Sequence, residues 1–415
     1  MDMVDTTKEL GKGIYSTYRR FDHIRIGGYI QPQFQAASAD GAKNYSGGDF
    51  APNSNTRFML RRGRIRFDYG SYTEKNDPKL QFVFQFDGTE RGVFIRDFWG
   101  RVWENKFHLM SFTTGMFARP FGYEVNLSSS DREAPERGRM SQILMRTERD
   151  LGFMASLEPR KRSGLFSRLK VDLGVFNGQG LTGTTDFDSY KDLIGQVMFK
   201  PVSIQKNLTL GGGISYLWGG IRQGTTAAYR LQDKGNGVFV YQADSIKTSI
   251  GDKLPRIYAG ANAQLKWKHG WGATEWRAEY WSGTQTATQN SSETPGSATS
   301  GVPVVYTPFY VRNFNGAFLL FLQNIVSSKH QVGVKLDWYD PNTKVSGRQI
   351  GAAGSNLNAA DIKYTTLGFG YLYYWDENLK LTLWYDRVWN ESTQLSGYTG
   401  DISDNVFTAR VQFRF

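Results

Sequence analysis

Three arginines stand at alternate positions in one stretch, Arg62, Arg64 and Arg66, with Arg61 directly before them and out of phase. A guanidinium presents a planar fork of donors and keeps its charge at any physiological pH. It therefore suits carboxylate and phosphate oxygens, taken two at a time. On an extended chain alternate side chains share a face. The row is then a charged stripe for binding or conducting anions, or a set of solvated wall residues paired with acids.

Catalytic arrangements are harder to find. The chain has four histidines, His23, His108, His269 and His330, and none forms a metal-ligand spacing such as H-x-x-x-H. All four fall beside the strand ends assigned to the periplasmic side and none in a long loop, whereas a hydrolase triad needs Ser, His and an acid in mutual reach. Glu275 and Glu279 lie roughly 13 Å apart on a strand, too far for a retaining glycosidase pair. No glycine-rich phosphate loop opens a helix, and Cys is absent, which removes thiolate metal sites. No catalytic residue, metal or cofactor is expected.

The elements that position the arginines are strands. Val406–Phe415 reads VFTARVQFRF, with Phe407, Ala409, Val411, Phe413 and Phe415 on one side and Arg410, Gln412 and Arg414 on the other. Such a segment fits the edge of a soluble sandwich or the closing strand of a membrane barrel, where lipid offers no partner for unpaired backbone groups. The same alternation recurs along the chain in about sixteen segments, the even number expected of a bacterial barrel. Connections after odd-numbered strands are mostly long and those after even-numbered strands short. Only an up-and-down antiparallel sheet with two unequal ends gives this rhythm. Pro32 cannot donate a ladder bond, so a bulge is expected there. Arg61 marks a kink or a change of register in the second strand.

No stretch approaches the ~20 apolar residues of a membrane helix, but alternation hides the apolarity of barrel strands from a running average. The fold expected is all-β: a transmembrane antiparallel up-and-down barrel with long outer loops, spanning 21–415. Residues 1–20 have no apolar signal-peptide core and are expected to be poorly structured or periplasmic. Trp99, Trp103, Trp218, Trp267, Trp281, Tyr374, Trp375 and Trp389 fall near strand ends, as an interfacial girdle would. The segment 119–149 lacks alternation and carries nearly balanced charge, with Arg119, Arg137 and Arg139 among its cations. A loop that long without strands is functional or disordered.

The net charge of +11 can mean nucleic acid, membrane surface or anionic ligands. If the apolar faces meet lipid, Arg62, Arg64, Arg66, Arg101, Lys170, Lys266 and Lys268 face the lumen, with Asp97 among fewer acids. A wet lumen with surplus cations attracts anions, and nucleic acid is not the expected partner.

Several motifs, in this order, resemble one family: GGYIQPQFQ (Gly27–Gln35), RFMLRRGRIRF (Arg57–Phe67), FQFDG (Phe84–Gly88), IRDFWGRVW (Ile95–Trp103), GMFARPFGYE (Gly115–Glu124), RDLGFM (Arg149–Met154) and GVFNGQG (Gly174–Gly180). The chain resembles the phosphate-selective porins O and P, trimeric sixteen-stranded channels of the bacterial outer membrane. The resemblance implies a third loop, here 119–149, folded into the lumen. It implies an arginine ladder that includes Arg61, Arg62 and Arg64, and constriction positions at Arg119 and Asp97. It also implies a homotrimer among lipid and lipopolysaccharide, small anionic solutes as cargo, and a terminal Phe read by the outer-membrane assembly machinery. The dense lysine cluster of the family is missing from 119–149. Strict phosphate selectivity, a broader anion or polyphosphate preference, general diffusion and a plugged docking barrel are the functional readings.

Overall fold

The computed structural model describes residues 23–161, 163–182, 186–244, 249–300 and 305–415. The segment 1–20 lies outside them. Sixteen strands close one antiparallel barrel: β1 Ile24–Ala37, β2 Thr56–Tyr72, β3 Pro78–Thr89, β4 Gly92–Trp103, β5 Met110–Ala118, β6 Arg149–Leu157, β7 Leu169–Phe176 and β8 Asp192–Gln205, followed by β9 Leu208–Arg222, β10 Lys253–His269, β11 Gly272–Ala287, β12 Tyr310–Ile325, β13 Ser327–Asp340, β14 Tyr364–Tyr374, β15 Leu379–Asn390 and β16 Val406–Arg414. Each pairs with its neighbours in sequence. The last returns to the first, with Ile30 opposite Phe413 and the Phe415 N–H donating to the Gly28 carbonyl at 3.0 Å. No barrel edge is left unpaired, which a bilayer requires.

Burial is inverted relative to a water-soluble sheet. Ile26 is 61% exposed and Ile65 45%, while Arg64 is 6% and Gln35 0%. The apolar face of each strand points out and the polar face points in, as in a transmembrane barrel. The loop rhythm holds, with short connections such as 206–207 and 270–271 at one end and long ones such as 223–252 and 341–363 at the other. The exception is 90–91, a tight turn at the long-loop end. A hairpin, Ala228–Asp233 with Phe239–Asp244, rises from the fifth connection at the long-loop end and packs Tyr229 flat on Tyr310 at 4.6 Å.

Two irregularities in the ladder position the site. Ile30 pairs with Gly63 but Pro32 with Leu60, so Gln31 faces two residues, Arg61 and Arg62. This is a β-bulge, where the extra residue re-aims side chains. It follows from Pro32, which has no N–H to give. Likewise Gln85 pairs with Asp97 and Phe86 with Ile95, leaving Arg96 as the extra residue in β4.

The aromatic girdle needs correction. Trp218, Trp267 and Trp375 are more than half exposed, as a lipid-facing belt would be. Trp281 is fully buried, edge-on to Phe121 at 4.8 Å. Trp99 and Trp103 flank the Arg101 guanidinium on the polar face. The Tyr374 hydroxyl donates to Gln331. Phase explains the error: Trp281 has the same parity as buried Glu279, and Trp99 the same as buried Asp97.

Candidate functional site

The residues between β5 and β6 are tied to polar wall residues from several sides of the barrel. Glu136 receives both forks of Arg61 and Arg62: Arg61 Nε and Nη2 at 2.9 and 3.0 Å, Arg62 Nη1 and Nη2 at 3.2 and 2.7 Å. Arg410 of β16 adds a fifth bond through Nη2 at 2.7 Å. One carboxylate thus carries three guanidinium groups, two of them brought together by the β2 bulge. Glu148 is held in a similar way by Arg96, by Arg137 at 3.3 Å and by Arg149 at 3.6 Å. Arg149 also makes two parallel bonds to Asp97, both at 3.1 Å. Six arginines therefore share three carboxylates.

On the opposite wall the roles change. Lys335 is paired with Glu124, and Arg277 with Glu133 at 2.8 Å. Glu279 accepts the backbone N–H groups of Tyr123 and Glu124 at 2.6 and 3.0 Å, and Asp337 accepts that of Arg139 at 3.2 Å. Wall cations hold the carboxylates of 119–148, and wall acids hold its backbone donors. An apolar cluster seals the contact: Phe121, Leu144 and Met145 against Tyr258, Trp281 and Phe314. Gly122 has φ 71°, and a Cβ there would lie 2.7 Å from Trp281. Only glycine meets both demands.

Burial would raise the pKa of Glu136, but Arg61, Arg62 and Arg410 outweigh it and hold the carboxyl well below the ordinary glutamate range. Burial likewise opposes the charge on Glu148, and Arg137, Arg96 and Arg149 prevail. Both carboxylates are ionised at neutral pH.

The residues singled out in the sequence do not gather in one place. Arg61, Arg62, Asp97 and Arg137 belong to the two clusters just described. Below them, Arg64 pairs with Asp87 at 3.0 Å and Arg66 with Asp68 at 2.6 Å, while Arg101 donates to Thr113 at 2.8 Å. Arg139 opens the short helix α1 (Arg139–Leu144), its guanidinium 3.6 Å from the Tyr364 ring and 4.8 Å from that of Tyr45. Arg119 donates to the Thr147 carbonyl and lies apart from the Glu136 cluster. Lys170 pairs with Asp172 at 3.0 Å, Lys266 with Glu275 at 3.5 Å, and Lys268 is exposed beside the 270–271 turn.

Arg96, Arg149, Arg410 and Glu136 were not among the candidates. Arg96 had a signal, since it breaks the alternation beside Asp97 as Arg61 does beside Arg62. Among the described residues no three His, Asp or Glu side chains gather to hold a metal ion. A cavity of about 1180 Å³ lies on the long-loop side, lined by Arg57, Arg61, Arg139, Arg146, Tyr45 and Tyr364 among others. A second, of about 420 Å³, lies on the short-turn side, lined by Arg25, Tyr29, Arg64, Arg66, Glu148 and Arg149 among others. Arg61 borders the first and Arg64 the second.

No family model matches the chain, and no curated protein sequence does. Solved structures match it in fold. An anion-selective porin from Comamonas acidovorans superposes with a TM-score of 0.54 at 11% identity, over 94% of this chain and 99% of that one. The outer-membrane channel DcaP of Acinetobacter baumannii gives 0.55 at 11% identity, over 94% and 97%. OprB of Pseudomonas putida gives 0.57 at 7% identity, over 99% and 97%. The chain has the fold of the bacterial outer-membrane porins, with an apolar exterior suited to that membrane.

Proposed function

We propose that the chain is a passive, anion-preferring channel of the bacterial outer membrane, with 119–148 folded into the lumen as its constriction. The observation that carries this reading is the sharing of three carboxylates by six arginines at the Glu136 and Glu148 clusters. That leaves a surplus of fixed positive charge between two cavities. Low-dielectric walls focus such a field, drawing anions in and keeping cations out. Guanidinium forks favour oxyanions, so phosphate, polyphosphate and other small anions are the solutes this lining suits. The protein works as a conduit and not as an enzyme, in a homotrimer set among lipid and lipopolysaccharide. The assembly machinery of the outer membrane is its partner during insertion.

A second reading is a general diffusion porin of weak selectivity. Glu279 and Asp337, on the wall facing the arginines, make no salt bridge among the described residues. Charges so divided create a transverse field that acts on dipolar solutes as well as ions. Sugar uptake into vesicles carrying the protein separates the readings.

The test is the row Arg62, Arg64 and Arg66. Replacing all three with glutamine should reduce the chloride-over-potassium permeability ratio several-fold in planar bilayers. Unchanged selectivity would remove the row from the mechanism.

A further inference from the structure

We propose that Glu136 is the built-in occupant of an anion-binding site made by Arg61, Arg62 and Arg410, and that a small oxyanion displaces it. The ligand class is an anion with two oxygens on one centre, a carboxylate or a phosphate. This deepens the channel reading above and rests on it.

The geometry is that of a receptor for such a group. Five charge-assisted bonds of 2.7–3.2 Å converge on two oxygens of one carbon. Arg61 and Arg62 each approach with a fork, the bidentate mode that carboxylate and phosphate share. The cations are pre-positioned by groups that carry no charge. Gln33 Oε1 accepts Arg410 Nε at 2.8 Å, and Gln31 Oε1 accepts Arg62 Nη1 at 3.3 Å. Among the described residues no other carboxylate forms a salt bridge to these three arginines. With Glu136 in place the site keeps a charge surplus of two, and without it three. Arg132, buried nearby, has Nε and one Nη without a hydrogen-bond partner.

Access exists. Arg62, Arg410 and Glu136 are buried, but the Arg61 side chain is 27% exposed and borders the long-loop cavity. An anion arriving there meets the fork of Arg61 first. As it takes over the remaining donors, Glu136 loses its partners, and the segment loses its ties at Glu136 to β2 and β16. Arg410 also binds the Pro135 carbonyl at 2.6 Å, so the release extends along the segment. The solute thereby widens its own path.

An internal competitor lowers apparent affinity by the fraction of time it occupies the site. Full-length protein in planar bilayers with potassium chloride, titrated with phosphate or with acetate, tests this. In the wild type, oxyanion should raise chloride conductance saturably. Glu136→Gln should start at a higher conductance, gain nothing further from oxyanion, and bind phosphate on the order of tenfold more tightly. The binding is read by titration calorimetry of the detergent-solubilised full-length protein with inorganic phosphate. Equal basal conductance and equal phosphate response in the two proteins would overturn the proposal. Should Glu136→Gln not reach the folded barrel, the wild type decides: a conductance blind to both oxyanions overturns it. The two arms separate a carboxylate site from a phosphate site. The reversal potential reports independently on the anion reading, so that failure is distinguishable from this one.

Discussion

Arg149→Met should destabilise the folded barrel by about 3–5 kcal/mol, because it strands a buried carboxylate. Asp97 is 3% exposed, and both its oxygens are bonded to Arg149. Among the described residues it has no second cation within salt-bridge distance. Glu148 loses less from the same change, since Arg96 and Arg137 remain on it. The cost therefore arises at Asp97, and Asp97→Asn should recover much of it, because an amide carries no charge to leave uncompensated. Guanidinium unfolding of the wild type, both single variants and the double variant in detergent closes the cycle. A coupling energy near zero would mean that the two residues do not act as a pair.

Trp281→Ala should cost about 3–5 kcal/mol, the range for a large buried aromatic, whereas Trp276→Ala should cost about 0.5–1 kcal/mol. The two tryptophans sit on the same strand, five residues apart and on opposite faces. Trp281 is fully buried against Phe121. Trp276 is 53% exposed and lies against Phe321 at 4.5 Å on the outer face. Lipid replaces most of what Trp276 loses, but nothing fills the space left by Trp281. The loss also undoes the packing that holds Phe121, so ion flux should become noisier in the Trp281 variant alone. Equal unfolding midpoints for the two variants would contradict the assignment of faces.

The strands were readable because alternation is a local property. Ile26 and Ile65 fall on the apolar phase, and that phase alone decides which side meets lipid. Pro32 announced the bulge, since a missing N–H has the same consequence in any sheet. Arg61 announced its other half by falling out of phase.

The clusters were less legible, because pairing across a barrel is not written in spacing. Arg410 meets Glu136 from 274 positions away, and Arg149 meets Asp97 from 52. The near neutrality of 119–149 also misled. Its carboxylates balance its own arginines on paper, but in space Glu124, Glu133 and Glu136 are claimed by wall cations. Trp281 lies near a strand end, where a girdle residue belongs, but it shares the inward parity of Glu279 two residues earlier.

The sign of one voltage reports whether the lumen prefers anions. Purified protein in a planar bilayer, with potassium chloride more concentrated on one side, should give a reversal potential of chloride sign. A potential of potassium sign, or a membrane that carries no current, would contradict a lumen whose arginines outnumber the carboxylates they share.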